Sequence, residues 1–313
     1  MRARVGIYVL AGAALGLAVL LAALRVGERS GALSDWQALV LGIVQGLTEL
    51  LPISSSGHLI LVPWLADWRY LEEHDEFNKT FDVALHLGTL VAVVSYFWDD
   101  LVRLVTAWSR SVGARAVREP EEQVAWLVVV ATIPAVVAGA AGESFIEDHL
   151  GEPWQIAILL GLFGVVLWVA DRVPERREMD SLSLREGLAV GAAQALSLMP
   201  GVSRSGVTIS AGRFLGLDRE SAARFSFLLL VPVTLGAVVY KGVTDVLLAD
   251  LPAGSTGPFV VGMLAAAASG FVAIDVLLGY VRRHDYSPFV LYRLVVAAFV
   301  LGLIATGARD ATF

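Results

Sequence analysis

Long apolar stretches fill this chain, and polar clusters interrupt them at a few places. Residues 5–24, 81–98, 123–141, 154–171, 222–240, 258–280 and 289–307 are apolar over roughly the ~17–25 residues that a helix needs to cross a bilayer. The first of these runs sits behind Arg2 and Arg4 and reads as a retained extra N-terminal membrane helix, with a cleaved signal peptide as the alternative. Runs 35–50, 56–66, 185–198 and 204–215 are shorter than a span. Pro52 and the serines after it separate the first two. Half-length helices joined by a polar turn make a re-entrant hairpin, which is tolerated at membrane depth only where protein or a water-filled cavity surrounds it. Ser34-x-x-Gln37 and Ser183-x-x-Glu186 are capping-box patterns that open the two hairpins. Residues 67–80 are polar and acidic and read as a surface loop.

The hairpins are copies of one another. At one ungapped offset, Ser34, Gly42, Gln45, Ser54, Ser56 and Gly57 fall on Ser183, Gly191, Gln194, Ser203, Ser205 and Gly206. This is an internal repeat, about 34–141 and 183–280, within a single membrane domain of residues 31–313; residues 1–30 stand apart.

Composition agrees with the pattern. Of 313 residues, 57% are hydrophobic and 17% charged, which marks a polytopic membrane protein rather than a soluble domain. The absence of cysteine excludes disulfides and thiolate chemistry. The net charge of −7 gives no reason to expect a nucleic-acid partner. Arginines crowd loops 99–122 and 172–185 and the turn 281–287, which should be cytoplasmic; loop 142–153 carries Glu143, Glu147, Asp148 and Glu152 without Lys or Arg and should lie outside. Three spans then separate the hairpins, so they enter from opposite faces. The expected fold is an all-α polytopic membrane protein with an inverted-topology repeat, two re-entrant hairpins, about six spans and the extra N-terminal helix.

Polar groups at membrane depth are costly and usually functional. Gln45 and Glu49 share a helix face and could hold a hard divalent cation, or act as a polar packing pair. Ser54, Ser55 and Ser56 precede a half-helix, where serine is a preferred N-cap and free N–H groups are also an anion site. His58, in the first turn, suits proton transfer. In the second copy Arg204 stands where the first has Ser55 and needs an anionic partner, either Glu49 or a substrate phosphate. Ser203, Ser205 and Thr208 are further donors, although a helical threonine can bond its own backbone. The first copy thus carries the acid and the histidine, the second the cation. His86 reads as a packed core residue and His74, His149 and His284 as loop residues. Asp275 reads as buried beside an arginine, and Gly262, Gly270 and Gly279 suit close helix packing.

Gln45-Gly-Leu-Thr-Glu-Leu-Leu-Pro-Ile-Ser-Ser-Ser-Gly-His58 and Pro200-Gly-Val-Ser-Arg-Ser-Gly-Val-Thr208 resemble the two signature segments of the undecaprenyl-diphosphate phosphatases of the bacitracin-resistance type. The similarity continues through Phe81–Thr89, Ile133–Val137, Phe225–Pro232 and Tyr292–Val296, and covers about residues 35–307; the helix at 5–24 extends beyond it. The resemblance implies a cell-membrane hydrolase that removes the terminal phosphate of a polyprenyl diphosphate, recycles the lipid carrier of cell-wall glycans and confers bacitracin resistance. It also implies dependence on a divalent cation, Mg2+ or Ca2+. By motif position Glu49, Ser55, His58 and Arg204 would be catalytic, with Ser55 the candidate nucleophile, His58 its acid–base partner and water as the other attacking group. Ser54, Ser56, Ser203, Ser205 and Thr208 would bind substrate, and Glu49 with Gln45 the metal. The site would lie near the midplane and open to the outer face. The partners on this reading are the lipid substrate and membrane lipids, with a homodimer left open. An inverted-repeat transporter or flippase for a lipid phosphate is the alternative. A phosphatidate-type phosphatase is disfavoured, because no histidine after His58 sits in the motif that class requires.

The charge scheme can be tested directly, since the chain has no cysteine of its own. Single cysteines placed in 143–152 should react with an impermeant thiol reagent in intact cells, and those in 110–118 only after permeabilisation. The reverse pattern would overturn the assigned orientation.

Overall fold

The computed structural model describes residues 33–68, 70–71, 74–241 and 256–312; the apolar run 5–24 lies outside them. Among the described residues the chain is helical, with one isolated bridge between Arg177 and Leu217. The first hairpin is α1 (Asp35–Leu50) and α2 (Ser55–Ala66). It is followed by α3 (Asp75–Tyr96), α4 (Trp98–Ala114), α5 (Pro120–His149) and α6 (Pro153–Ala170). The second hairpin is α7 (Leu184–Ala195) and α8 (Arg204–Phe214), followed by α9 (Arg219–Lys241), α10 (Thr256–Val281) and α11 (Ser287–Ala305). α5, α6, α9, α10 and α11 are long and apolar enough to cross a membrane, and α3 with its bent continuation α4 makes a sixth candidate. The protein is a multi-pass membrane protein. At about 1.5 Å per residue, none of the four hairpin helices reaches the ~30 Å of a hydrocarbon core.

Two arginine-rich or acidic stretches expected to be loops are largely helical. α3 turns through 81° into α4, which occupies most of the stretch 99–122. Its apolar Trp98, Val102, Val105 and Val112 are exposed, while Ala107 and Ser111 face the protein. Alternating arginine and apolar residues read as a loop by hydropathy but form an amphipathic helix by period. Likewise α5 continues to His149, so the acidic stretch 142–153 is helix for two-thirds of its length and His149 is a helix-end residue. The segment 67–80 contains the start of α3, with His74 at its N-cap.

Each hairpin helix is capped as the sequence expects. The Ser34 hydroxyl accepts from the Gln37 N–H at 3.2 Å while Gln37 Oε1 accepts from the Ser34 N–H at 2.9 Å; Ser183 and Glu186 repeat this at 3.3 and 2.8 Å. The turns match too. Ser54 (φ 76°, ψ 100°) and Ser203 (φ 74°, ψ 115°) are both non-glycine residues at positive φ, and each N-caps its following helix through its hydroxyl. Such a conformation costs of order 1–3 kcal/mol and persists only where the surroundings impose it.

The copies are exchanged in their packing. α1 lies along α10, which belongs to the second repeat, and α7 lies along α5, which belongs to the first. Glycine makes both approaches possible. A Cβ on Gly42 would collide with the Gly262 carbonyl, and one on Gly191 with the Ala131 carbonyl. Gly262 and Gly270 therefore pack as expected, whereas Gly279 faces open space. Asp275 is exposed and accepts from the Tyr96 hydroxyl at 3.4 Å, not from an arginine, because its face of α10 looks away from the core.

α6 and α11 pair beside both turns, and α11 supplies Arg293, which is fully buried. Its guanidinium donates to the carbonyls of Pro52 (3.2 Å), Gly201 (2.9 Å), Val202 (3.1 Å) and Leu160 (3.0 Å). No described carboxylate pairs with it. The fixed fork of five N–H donors meets carbonyls from both turns at once, which no single lysine can reproduce. Replacing Arg293 with methionine should leave these buried carbonyls without donors, at about 1–3 kcal/mol each. Thermal unfolding in detergent should show a fall of many degrees for Arg293→Met and a smaller one for Arg293→Lys. An unchanged melting temperature for the methionine variant would remove Arg293 from this role.

Candidate active site

The turns of the two hairpins touch. The Gly201 N–H donates to the Ser54 hydroxyl at 3.2 Å, and the Ser205 hydroxyl donates to the Leu51 carbonyl at 2.9 Å. This places the end of α1 against the start of α8. Glu49, on the last turn of α1, and Arg204, the first residue of α8, are both nearly buried. Arg204 Nη2 and Nε donate to Glu49 Oε1 at 3.0 and 3.3 Å. Its remaining Nη1 donates to the Ser226 carbonyl on α9 at 3.0 Å. The ion pair anticipated as one reading of Arg204 is therefore present. It leaves the guanidinium at the positive end of α8, where an anion is also favoured.

Glu49 Oε2 faces a different group. The Ser55 hydroxyl donates to it in a short hydrogen bond, and Gln45 Nε2 donates at 3.4 Å. Gln45 is fully buried and its Oε1 has no hydrogen-bond partner. His86 Nε2 lies 3.9 Å from the same Glu49 oxygen. The side chain of His86 is 35% exposed, so it is not a packed core residue; α3 turns this face towards α1.

His58 is held elsewhere. Its Nδ1 meets the Ser54 carbonyl at 2.6 Å and its Nε2 the Tyr292 hydroxyl at 2.8 Å, with the two rings stacked. A carbonyl only accepts, so Nδ1 carries the proton and Nε2 accepts from Tyr292. In this arrangement the Ser55 hydroxyl hydrogen-bonds to the Glu49 carboxylate and not to the imidazole of His58. The other expected donors are structural in part. Ser54 and Ser203 cap their helices, Ser56 lies 3.5 Å from the Ser54 hydroxyl, and Ser203 lies 3.2 Å from Ser205. Thr208 donates to its own backbone at the Arg204 carbonyl (2.8 Å) and lies 2.7 Å from the Ser226 hydroxyl.

The structure thus gathers Gln45, Glu49, Ser55 and Arg204 at one point, with the capping serines behind them and His58 set to one side. It adds Ser226, His86, Tyr292 and Arg293. None of these carries a motif of its own, and the one available signal was that each lies in a segment already similar to the family. Chemically, the arrangement offers a buried carboxylate that accepts from a hydroxyl, beside a guanidinium at a helix start. That suits attack on a phosphoryl group whose charge the arginine and helix N–H groups bear.

Comparison with known proteins points the same way. Residues 38–299 match the family described as "Bacitracin resistance protein BacA". A protein named undecaprenyl-diphosphatase from Moorella thermoacetica is 45% identical over 269 residues, covering 85% of this chain and 97% of that protein. Proteins of the same name from Thermomicrobium roseum (45% over 283 residues, 88% and 99% covered) and Geobacter sulfurreducens (44% over 273 residues, 85% and 97%) are similar to it as well. With both signature segments inside the matched region and their side chains meeting at one buried carboxylate, the chain belongs to the bacitracin resistance protein BacA family.

Proposed function

We propose that this protein hydrolyses undecaprenyl diphosphate, or a closely similar polyprenyl diphosphate, to the monophosphate and inorganic phosphate. The observation that carries the reading is the contact of Glu49 with both Ser55 and Arg204 at the junction of the two turns. Family membership supplies the substrate class.

In the mechanism that follows from this geometry, the Ser55 oxygen attacks the terminal phosphorus as its proton passes to Glu49. The bond to the bridging oxygen breaks, and the lipid monophosphate leaves with that electron pair. Arg204 turns from Glu49 to the phosphoryl oxygens and offsets the charge that spreads over them. Water then attacks the phosphoserine, the Ser55–phosphorus bond breaks, Ser55 takes its proton back from Glu49, and phosphate departs with the oxygen and both protons of the water. His58 holds the first turn of α2 through the Ser54 carbonyl and so fixes where Ser55 points.

The unpaired buried oxygen of Gln45 fits the expected divalent cation. Gln45 and Glu49 would hold it, and the remaining positions suit substrate oxygens and water, since such ions take six or more oxygen ligands. A bound cation would neutralise charge on the diphosphate. The enzyme on this reading lies in the cell membrane with its site open to the outer face, as loop charge suggests.

Phosphate release by pure protein in detergent separates this from transport, which cannot be scored there. Arg204→Lys keeps a positive charge near Glu49 but loses the two-point grip, so turnover should fall by at least ~100-fold with little change in melting temperature. Arg204→Ala should also lose stability, by about 3–5 kcal/mol, because Glu49 is left buried and unpaired. Near-normal turnover in the lysine variant would remove Arg204 from the catalytic group. Acid quenching during turnover should trap phosphate on Ser55, read by peptide mass spectrometry. Full activity in Ser55→Ala would transfer the attack to water.

A further inference from the structure

Glu49 divides its two oxygens between separate surroundings. Oε1 takes the guanidinium of Arg204, and Oε2 faces the Ser55 hydroxyl, the Gln45 amide and the ring of His86. His58, His74, His149 and His284 each bring Nδ1 to the carbonyl four residues earlier, and His86 does the same; what sets it apart is that its Nε2 faces the Glu49 carboxylate. Its Nδ1 lies 2.7 Å from the carbonyl of Asp82, one helical turn earlier on α3. Because a carbonyl only accepts, a proton sits on Nδ1, and in the neutral ring Nε2 is the nitrogen with the free lone pair. That nitrogen makes no hydrogen bond among the described residues and points to Glu49 Oε2 at 3.9 Å. An imidazole whose far N–H is tied to a backbone carbonyl, with the near nitrogen left free, is how metal-ligating histidines are held.

The spacing fits a shared ion. Two ligands each about 2.1 Å from one ion lie roughly 3–4 Å apart. Glu49 Oε2 to His86 Nε2 is 3.9 Å, and Glu49 Oε2 to the Gln45 amide nitrogen is 3.4 Å. Turning that amide over places Oε1, the buried oxygen without a partner, where the nitrogen now stands. Among the described residues no group of three or more His, Cys, Asp or Glu forms a metal site, so a cation here must draw on amide and hydroxyl oxygens as well.

We infer that His86 is a nitrogen ligand of the catalytic cation, completing a protein-side set of Gln45 oxygen, Glu49 carboxylate and His86 imidazole. The inference rests on the reading above that Gln45 and Glu49 hold a cation. Its consequence is selectivity. Mg2+ and Ca2+ take oxygen ligands almost exclusively, whereas imidazole favours first-row transition dications. The site therefore takes Mn2+ in preference to Mg2+ or Ca2+.

The test uses the full chain in detergent with Mn2+ as the probe and no substrate, so that it reads the cation site and not turnover. Pulsed electron paramagnetic resonance of bound Mn2+ should show hyperfine coupling to an imidazole nitrogen. His86→Gln should abolish the coupling and narrow the preference for Mn2+ over Ca2+ by at least ~10-fold in competition, while His58→Gln keeps the coupling. Absence of stoichiometric Mn2+ binding, a wild-type spectrum without nitrogen coupling, or coupling that survives His86→Gln would each overturn the inference. Phosphate release measured in parallel keeps this outcome distinct from failure of the phosphatase reading, which would show as no release with any cation.

Discussion

The structure depends on one buried cation that never meets a described carboxylate. Arg293 reaches from α11 into the junction of the two hairpins and satisfies carbonyls of Pro52, Gly201 and Val202. Re-entrant backbone leaves such carbonyls unpaired at a depth where water is scarce, and each would otherwise cost free energy. A guanidinium is the side chain that can serve several at once from one point. By fastening both turns it also fixes the spacing of their serines, and hence of Glu49 and Arg204. The group that satisfies the turn carbonyls is thus also the group that ties the two turns together.

Duplication explains the scaffold and divergence explains the chemistry. Ser54 and Ser203 adopt nearly the same strained conformation and cap their helices in the same way, so the turn is a retained device. Around it the two copies have parted. Glu49 has Leu198 as its counterpart and Arg204 has Ser55, so the acid and the cation face each other across the junction. The exchanged packing, with α1 on α10 and α7 on α5, means that neither repeat can bury its own hairpin alone. Gly42 and Gly191 permit that close approach from both sides.

Much of this was legible along the chain, for a physical reason. Capping boxes, prolines and runs shorter than a bilayer are local signals, and they set α1 and α8 to within a residue or so of the observed Asp35–Leu50 and Arg204–Phe214. The same locality hid α4, because an amphipathic helix with arginines has the hydropathy of a loop. It hid His86 too. Whether a histidine in an apolar run is packed or faces a polar neighbour depends on which side of α3 meets α1, and nothing within α3 states that.

By itself, the sequence determined that this is a membrane protein with two related polar hairpins, because apolar length and turn chemistry act between near neighbours. Its long signature segments also carry the family resemblance without reference to any tertiary contact. Only the tertiary structure decided which groups meet. Glu49 and Arg204 stand 155 residues apart, and Arg293 is 241 residues from the carbonyl of Pro52. That the Ser55 hydroxyl hydrogen-bonds to Glu49 while His58 bonds Tyr292 depends on ångström differences in where α2 begins and where Tyr292 stands. Those distances come from helices packing against one another, which depends on every side chain between them and on no short stretch alone.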